Sequence, residues 1–319
     1  MIVAVDPRLE LLSIVQSSVQ EYTQRGPLRC DPLPYLEAAF DLARRHEDHA
    51  AVRLWRELHA DGFTFDAPVR FALSHSALPA FAPTIDYREA HYLVHRAKGA
   101  DRLAAFGAAL RDFAASADLG TFLARWRRTF EAYESQARSV IDPQWPAWLD
   151  AYAGRPETDL RIALLPLSRG SYGPTVGGVA YAVVASLWNG RDAVFDDREH
   201  LELLVLHEGA HGFVNPAMFG VQEELEASAV LLAPMAERMA AQAYPRWITV
   251  VCEHVVRAVV ARLSPDREAV LAREEGLGFV HIRAVAEALA EYERSRDRYP
   301  TLASFAPRIA EVFRGLAGG

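Results

Sequence analysis

Cysteine is scarce. Only two occur, Cys30 and Cys252, far apart and in unrelated contexts, which excludes a disulfide framework and a thiolate metal site. Two free, buried thiols are expected instead. Positive charge is short as well: 34 Lys and Arg stand against 42 Asp and Glu, a formal net charge of −8. A surface built to hold nucleic acid or an anionic membrane needs clustered cations, so neither is an expected partner. No apolar run approaches the roughly 20 residues of a membrane span, and the opening Met1–Asp6 lacks the charged-then-apolar layout of a signal peptide. As written the chain reads as soluble and intracellular; an exported form would carry a leader ahead of these residues. Internal repeats, low-complexity tracts and long linkers are missing too.

What is there suffices for a sizeable core, since 51% of the 319 residues are apolar. Three- and four-residue apolar spacing predicts helices over Pro34–Arg45, Ala50–His59, Asp101–Ala115 and Leu119–Ala137, with turn signals at Asp61-Gly62 and Ala82-Pro83. A gentle boundary is expected at Ala153-Gly154-Arg155-Pro156. Beyond it, Leu160–Leu167 and Val179–Leu187 are rich in Val, Ile and Leu and read as strands joined by the glycine-rich Ser168–Gly178. Helices resume near Asp196 and run to the end. The expectation is therefore α+β, predominantly α: a helical N-terminal region over 1–154, then a small sheet plus helices over 155–319, packed as one unit.

Chemistry enters at Leu201-Glu-Leu-Leu-Val-Leu-His207-Glu208-Gly-Ala-His211-Gly-Phe-Val-Asn215-Pro216. His207 and His211 are four apart and project from one face of a helix, where two imidazoles can grip one Zn2+. Glu208 then lies beside the ion, in the place of a base that takes a proton from water. Asp196 with Glu199 resembles a capping box that starts this helix, and Pro216 is a reason for it to stop. Ionisable groups inside so apolar a helix are costly to desolvate unless paired or metal-bound.

A catalytic zinc needs a third protein ligand and an open position. Ala217 stands where a metzincin would need histidine, and Val230-Leu231-Leu232 stands where a thermolysin-like chain would carry glutamate. The strongest remaining carboxylate is Glu253, in a helix over Arg246–Leu263 that is apolar nearly all round and so expected to be buried. Arg257, one turn on, would support it from behind, and Asn215 is a further candidate to support the ligands. Two alternatives stay open. Glu253 and Arg257 could form an ordinary ion pair on an exposed strip, or the ligand could be Glu223, Glu224 or Glu226, acidic residues that open the next helix and otherwise answer its dipole. His281 and Tyr181 are candidates to steady a developing oxyanion. His91 and His95 read as a surface pair, and His46 and His49 as a solvated helix end.

The stretch His207–Pro216, together with Glu253-His-Val-Val-Arg257-Ala258, Tyr292–Phe305 and the opening Leu9–Ile14, resembles the bacterial domain of unknown function 4932, regarded as zincin-like metallopeptidases. The resemblance implies a zincin-like core, Zn2+ on His207 and His211, Glu208 as base and Glu253 as a third ligand of gluzincin type; a peptide or protein substrate is the expectation from the metal site itself. On this reading the chain is a zinc-dependent hydrolase, and the strand Val179–Leu187 offers an edge on which an extended peptide could lie. Two competing expectations are a metallohydrolase acting on a non-peptide amide or ester, and a catalytically inactive peptide-binding or scaffold protein that keeps the helix.

Overall fold

The computed structural model describes residues 2–19, 28–29, 31, 33–155, 159–242 and 244–318. Cys30 lies outside the described residues. The class is α+β and predominantly helical. The chain divides into two compact units, one of Met1–Asp142 with Asp159–Leu204, the other of Pro143–Thr158 with Val205–Gly319. In this division the strands group with the N-terminal helices and not with His207 and His211.

The physical reason is a strand that local pattern did not reveal. β1 (Ile2–Val5) is four apolar residues, too short to show a period, and it pairs in parallel with β2 (Leu160–Leu165), Val3 opposite Ile162. On the far side of β2 lies β4 (Val179–Ala185), also parallel, with Ile162 opposite Ala182. The short β3 (Thr175–Val176) borders β4 in the antiparallel sense, giving the order β1-β2-β4-β3. A parallel sheet is buried on both faces, which explains why β2 and β4 read as continuous apolar runs rather than alternating ones. Its two borders are closed by side chains: Arg138 donates to the Val3 carbonyl at 2.6 Å, Glu134 accepts from the Val5 amide at 3.1 Å, and Arg70 donates to the Thr175 carbonyl at 2.8 Å.

β4 is consequently no free edge. β2 occupies one side, and on the other Tyr172 exchanges two 2.9 Å backbone hydrogen bonds with Val183. The peptide-binding edge expected over Val179–Leu187 is filled by the chain itself. A second small ribbon pairs β5 (Leu187–Trp188) with β6 (Ala193–Val194).

Among the described residues, eight helices complete this unit: α1 (Pro7–Gln16), α2 (Pro34–Arg45), α3 (Ala50–Ala60), α4 (Asp66–Leu73), α5 (His91–Ala97), α6 (Ala100–Ser116), α7 (Leu119–Arg125) and α8 (Arg127–Val140). The helix expected over Leu119–Ala137 is split at Trp126, whose ring packs edge-on against Tyr35 at 5.3 Å. Buried within α1, Glu10 accepts a hydrogen bond from the Tyr35 hydroxyl.

The second unit opens with α9 (Trp145–Ala153), closed by Gly154 at φ 69°, where a Cβ would lie 1.9 Å from the Pro300 carbonyl oxygen. α10 (Arg198–Phe219) carries the histidines. Its first turn is held by Asp197, which accepts from the His200 amide at 2.8 Å, and not by the box expected at Asp196 and Glu199. Nor does Pro216 end it, since the helix runs one more turn to Phe219. α11 (Gln222–Glu226), a 3-10 helix (Ala229–Met235) and α12 (Ala236–Ala241) lead to α13 (Trp247–Leu263), which packs against α14 (Arg267–Leu277) and α15 (Ile282–Arg294). α16 (Leu302–Ala317) starts from a Thr301–Ser304 capping box and closes the chain. None of the helices described is long and apolar enough to cross a membrane.

Candidate metal centre

One turn of α10 separates His207 from His211, so both imidazoles leave the same face, and their Nε2 atoms stand 3.3 Å apart. Leu206, Glu208, Gly209 and Ala210 are buried, which sinks the pair into the unit and leaves each ring only partly exposed. Glu208 is close by as well: one donor atom from each of His207, Glu208 and His211 lies within 4.8 Å of the others.

α13 brings a fourth side chain to this face. Glu253 is 5% exposed in a helix whose buried residues include Val250, Val251, Cys252, His254 and Val255. Its Oε2 is 3.6 Å from His207 Nε2 and its Oε1 is 3.5 Å from His211 Nε2. The exposed-strip alternative is thus overturned by burial, although the ion pair itself is present: Arg257 Nη2 lies 3.2 Å from Glu253 Oε2. That contact lacks hydrogen-bond geometry, and Glu253 Oε2 is buried without a hydrogen-bond partner. A buried carboxylate whose Oε2 has no hydrogen-bond partner, set against two imidazole nitrogens, fits a bound cation. The distances fit too, because donors about 2.0–2.1 Å from a tetrahedral Zn2+ are separated by about 3.3 Å.

Both histidines are held in forms that could bind a metal. His211 Nδ1 is 3.1 Å from Asn215 Oδ1. An amide oxygen only accepts, so Nδ1 carries the proton and Nε2 presents its lone pair. Burial, then Arg257, the neighbouring His211 ring and Arg273, push the His207 imidazole well below its ordinary pKa, toward the neutral form that could hold a metal.

Behind Glu253 stands a network that local pattern did not reveal. Arg257 Nη1 lies 2.6 Å from Glu274 Oε2, and its guanidinium sits 4.1 Å over the Phe279 ring. Glu274, 1% exposed, is gripped on its other oxygen by Arg273 at 3.1 Å. Burial lowers the Arg257 pKa, but the Glu253 and Glu274 carboxylates outweigh it and the net shift is upward. Tyr244 shares Arg257 with Glu253, and burial raises its phenol so that the hydroxyl keeps its proton. Burial also pushes the Cys252 thiol up to about 12, in keeping with an inert free thiol. Glu274 had one legible signal: it follows Val270 and Leu271 by four and three residues, on the apolar face of α14, although Arg273-Glu274-Glu275 looks like a solvated charge run.

The other candidates fall elsewhere. Glu223, Glu224 and Glu226 are exposed on α11, whereas Glu253 is buried against both histidines. His281 precedes α15 and packs against His254, ring centroids 5.8 Å apart, and Phe313. Tyr181 is buried in β4 of the other unit, where its hydroxyl meets Arg8. His91 and His95 are exposed on α5, and His49 caps α3 by accepting from the Ala51 amide at 3.1 Å.

Comparison with known proteins adds one match. The family profile described as Domain of unknown function (DUF4932) matches residues 1–312. No curated protein and no solved structure gave a match.

Proposed function

We propose that this chain, which belongs to the family described as Domain of unknown function (DUF4932) over residues 1–312, is a zinc-dependent hydrolase, most simply a metallopeptidase of zincin-like type. The observation that carries the reading is the triangle of side chains His207, His211 and Glu253: the two Nε2 atoms stand 3.3 Å apart, Glu253 Oε1 lies 3.5 Å from His211 and Glu253 Oε2 3.6 Å from His207. Imidazole and carboxylate donors in this number suit Zn2+ and leave a fourth position open. A Zn2+ ion held there supplies Lewis acidity, lowering the pKa of water toward about 7 and polarising a carbonyl oxygen.

The chain's own groups do the rest. Glu208, buried beside the triangle, accepts a proton from the attacking water as its oxygen bonds to the carbonyl carbon, then delivers that proton to the nitrogen as the C–N bond breaks. Asn215 keeps the His211 ring in the ligating tautomer. Negative charge growing on the carbonyl oxygen needs a donor, and the protonated Tyr244 phenol, next to Arg257, takes the role offered above to His281 and Tyr181.

The test is metal analysis of the purified chain followed by a panel of peptides, small amides and esters. About one Zn2+ per chain, lost in His207→Ala, with hydrolysis of a peptide abolished by chelation, is the expected result. Zinc without cleavage of any panel member would leave a binding protein in place of the enzyme, and no zinc at all would remove the site.

A further inference from the structure

Resting on the zinc reading above, we propose that Glu274 sets how tightly the triangle of His207, His211 and Glu253 holds its ion, by absorbing the charge of Arg257. The problem it solves is electrostatic. A dication at the triangle would face the Arg257 guanidinium across one carboxylate, because Arg257 Nη2 is 3.2 Å from Glu253 Oε2. Both side chains are largely buried, so water screens little of that repulsion. Left alone, Arg257 would also compete with the ion for the Glu253 oxygens.

Glu274 draws the guanidinium the other way. Its Oε2 is 2.6 Å from Arg257 Nη1, a shorter contact than the one to Glu253, and the Phe279 ring 4.1 Å from the guanidinium holds that orientation. Charges then alternate outward from the triangle: Glu253, Arg257, Glu274, and lastly Arg273, whose side chain is 52% exposed. Glu274 is a positioning residue here, acting on the ion through Arg257 and Glu253 and touching neither substrate nor metal.

The experiment measures Zn2+ affinity of the full chain by competition with a chromophoric chelator. Glu274→Gln turns Arg257 fully onto Glu253 and is expected to weaken Zn2+ binding by about 10–100-fold. Adding Arg257→Met to that variant removes the unbalanced cation, and affinity should return to within about fivefold of wild type. A merely structural role predicts the reverse, since the double variant has lost two buried partners. Arg273→Gln alters a largely exposed side chain, so folding is not at stake; it leaves Glu274 more negative and should tighten Zn2+ roughly twofold to fivefold. Glu274→Gln binding like wild type, a double variant no better than the single one, or Arg273→Gln with unchanged or weaker binding each overturns the role of Glu274 while the metal site stands. A wild-type chain that takes up no Zn2+ overturns the zinc reading and this inference with it.

Discussion

Asn215 stands one helical turn beyond His211, its Oδ1 3.1 Å from the imidazole Nδ1. This contact fixes which nitrogen of His211 carries the proton. Asn215→Ala should therefore weaken Zn2+ binding by about tenfold, with circular dichroism unchanged because Asn215 is only partly buried. Equal zinc affinity in the two proteins would show that the tautomer is set by something else.

Glu208 tests chemistry apart from binding. Glu208→Gln keeps the shape of the site and removes the proton acceptor, so zinc content should stay at the wild-type level while kcat falls by about 10²–10⁴-fold. Turnover surviving in a zinc-loaded sample of this variant would take Glu208 out of the reaction.

The third donor is decided by a paired measurement. Glu253→Ala should cost most of the bound zinc, whereas Glu224→Ala, on an exposed helix, should cost none. The opposite ranking would move the site to the acidic residues of α11.

A separate prediction concerns the folding of the first unit. Burial raises the Glu10 carboxyl from 4.5 to about 8, only partly offset by the hydrogen bond from Tyr35. Its folded-state pKa lies above the unfolded one, so between these values the native chain binds the proton more tightly. That contribution is complete below about pH 4.5 and is lost as pH rises through about 8. Glu10→Gln, which cannot ionise, should flatten this loss by an amount on the order of a few kcal/mol in urea unfolding across the window. Parallel stability curves for the two proteins would remove Glu10 as the cause.

Backbone geometry makes its own forecast at Gly154, where φ is 69° and a Cβ would meet the Pro300 carbonyl at 1.9 Å. Gly154→Ala should lower stability by about 3 kcal/mol or more. Gly276→Ala, inside α14 with open space around it, should raise it by up to about 1 kcal/mol. Thermal melts that rank the two the other way would refute the close approach.

Much of the candidate site was legible because it lies in one helix, where spacing alone assigns faces: His207, Glu208, His211 and Asn215 need no tertiary knowledge. Glu253 could be reached only by asking why a carboxylate sits in an apolar helix, a question of burial. Glu274 and Tyr244 join through tertiary contacts to Arg257 that no local pattern encodes, and Arg273 joins through Glu274. Among the elements, helices such as α2, α3 and α6 showed their period plainly. β1 did not, because its partner β2 lies more than 150 residues away, and without β1 the sheet's membership of the first unit was invisible. Pro216 misled for a related reason: helix ends are read from local cost, and packing of Ala217 and Met218 carries α10 through it.

The side chains that close the sheet's borders have a consequence outside the catalytic question. A strand from another molecule can add to a sheet only where amides and carbonyls await partners. With Arg138, Glu134 and Arg70 already seated on Val3, Val5 and Thr175, a newcomer would first have to evict charged groups into water and then match a twisted, short border. Concentrated samples of this chain should for that reason resist fibril growth seeded from its parallel core.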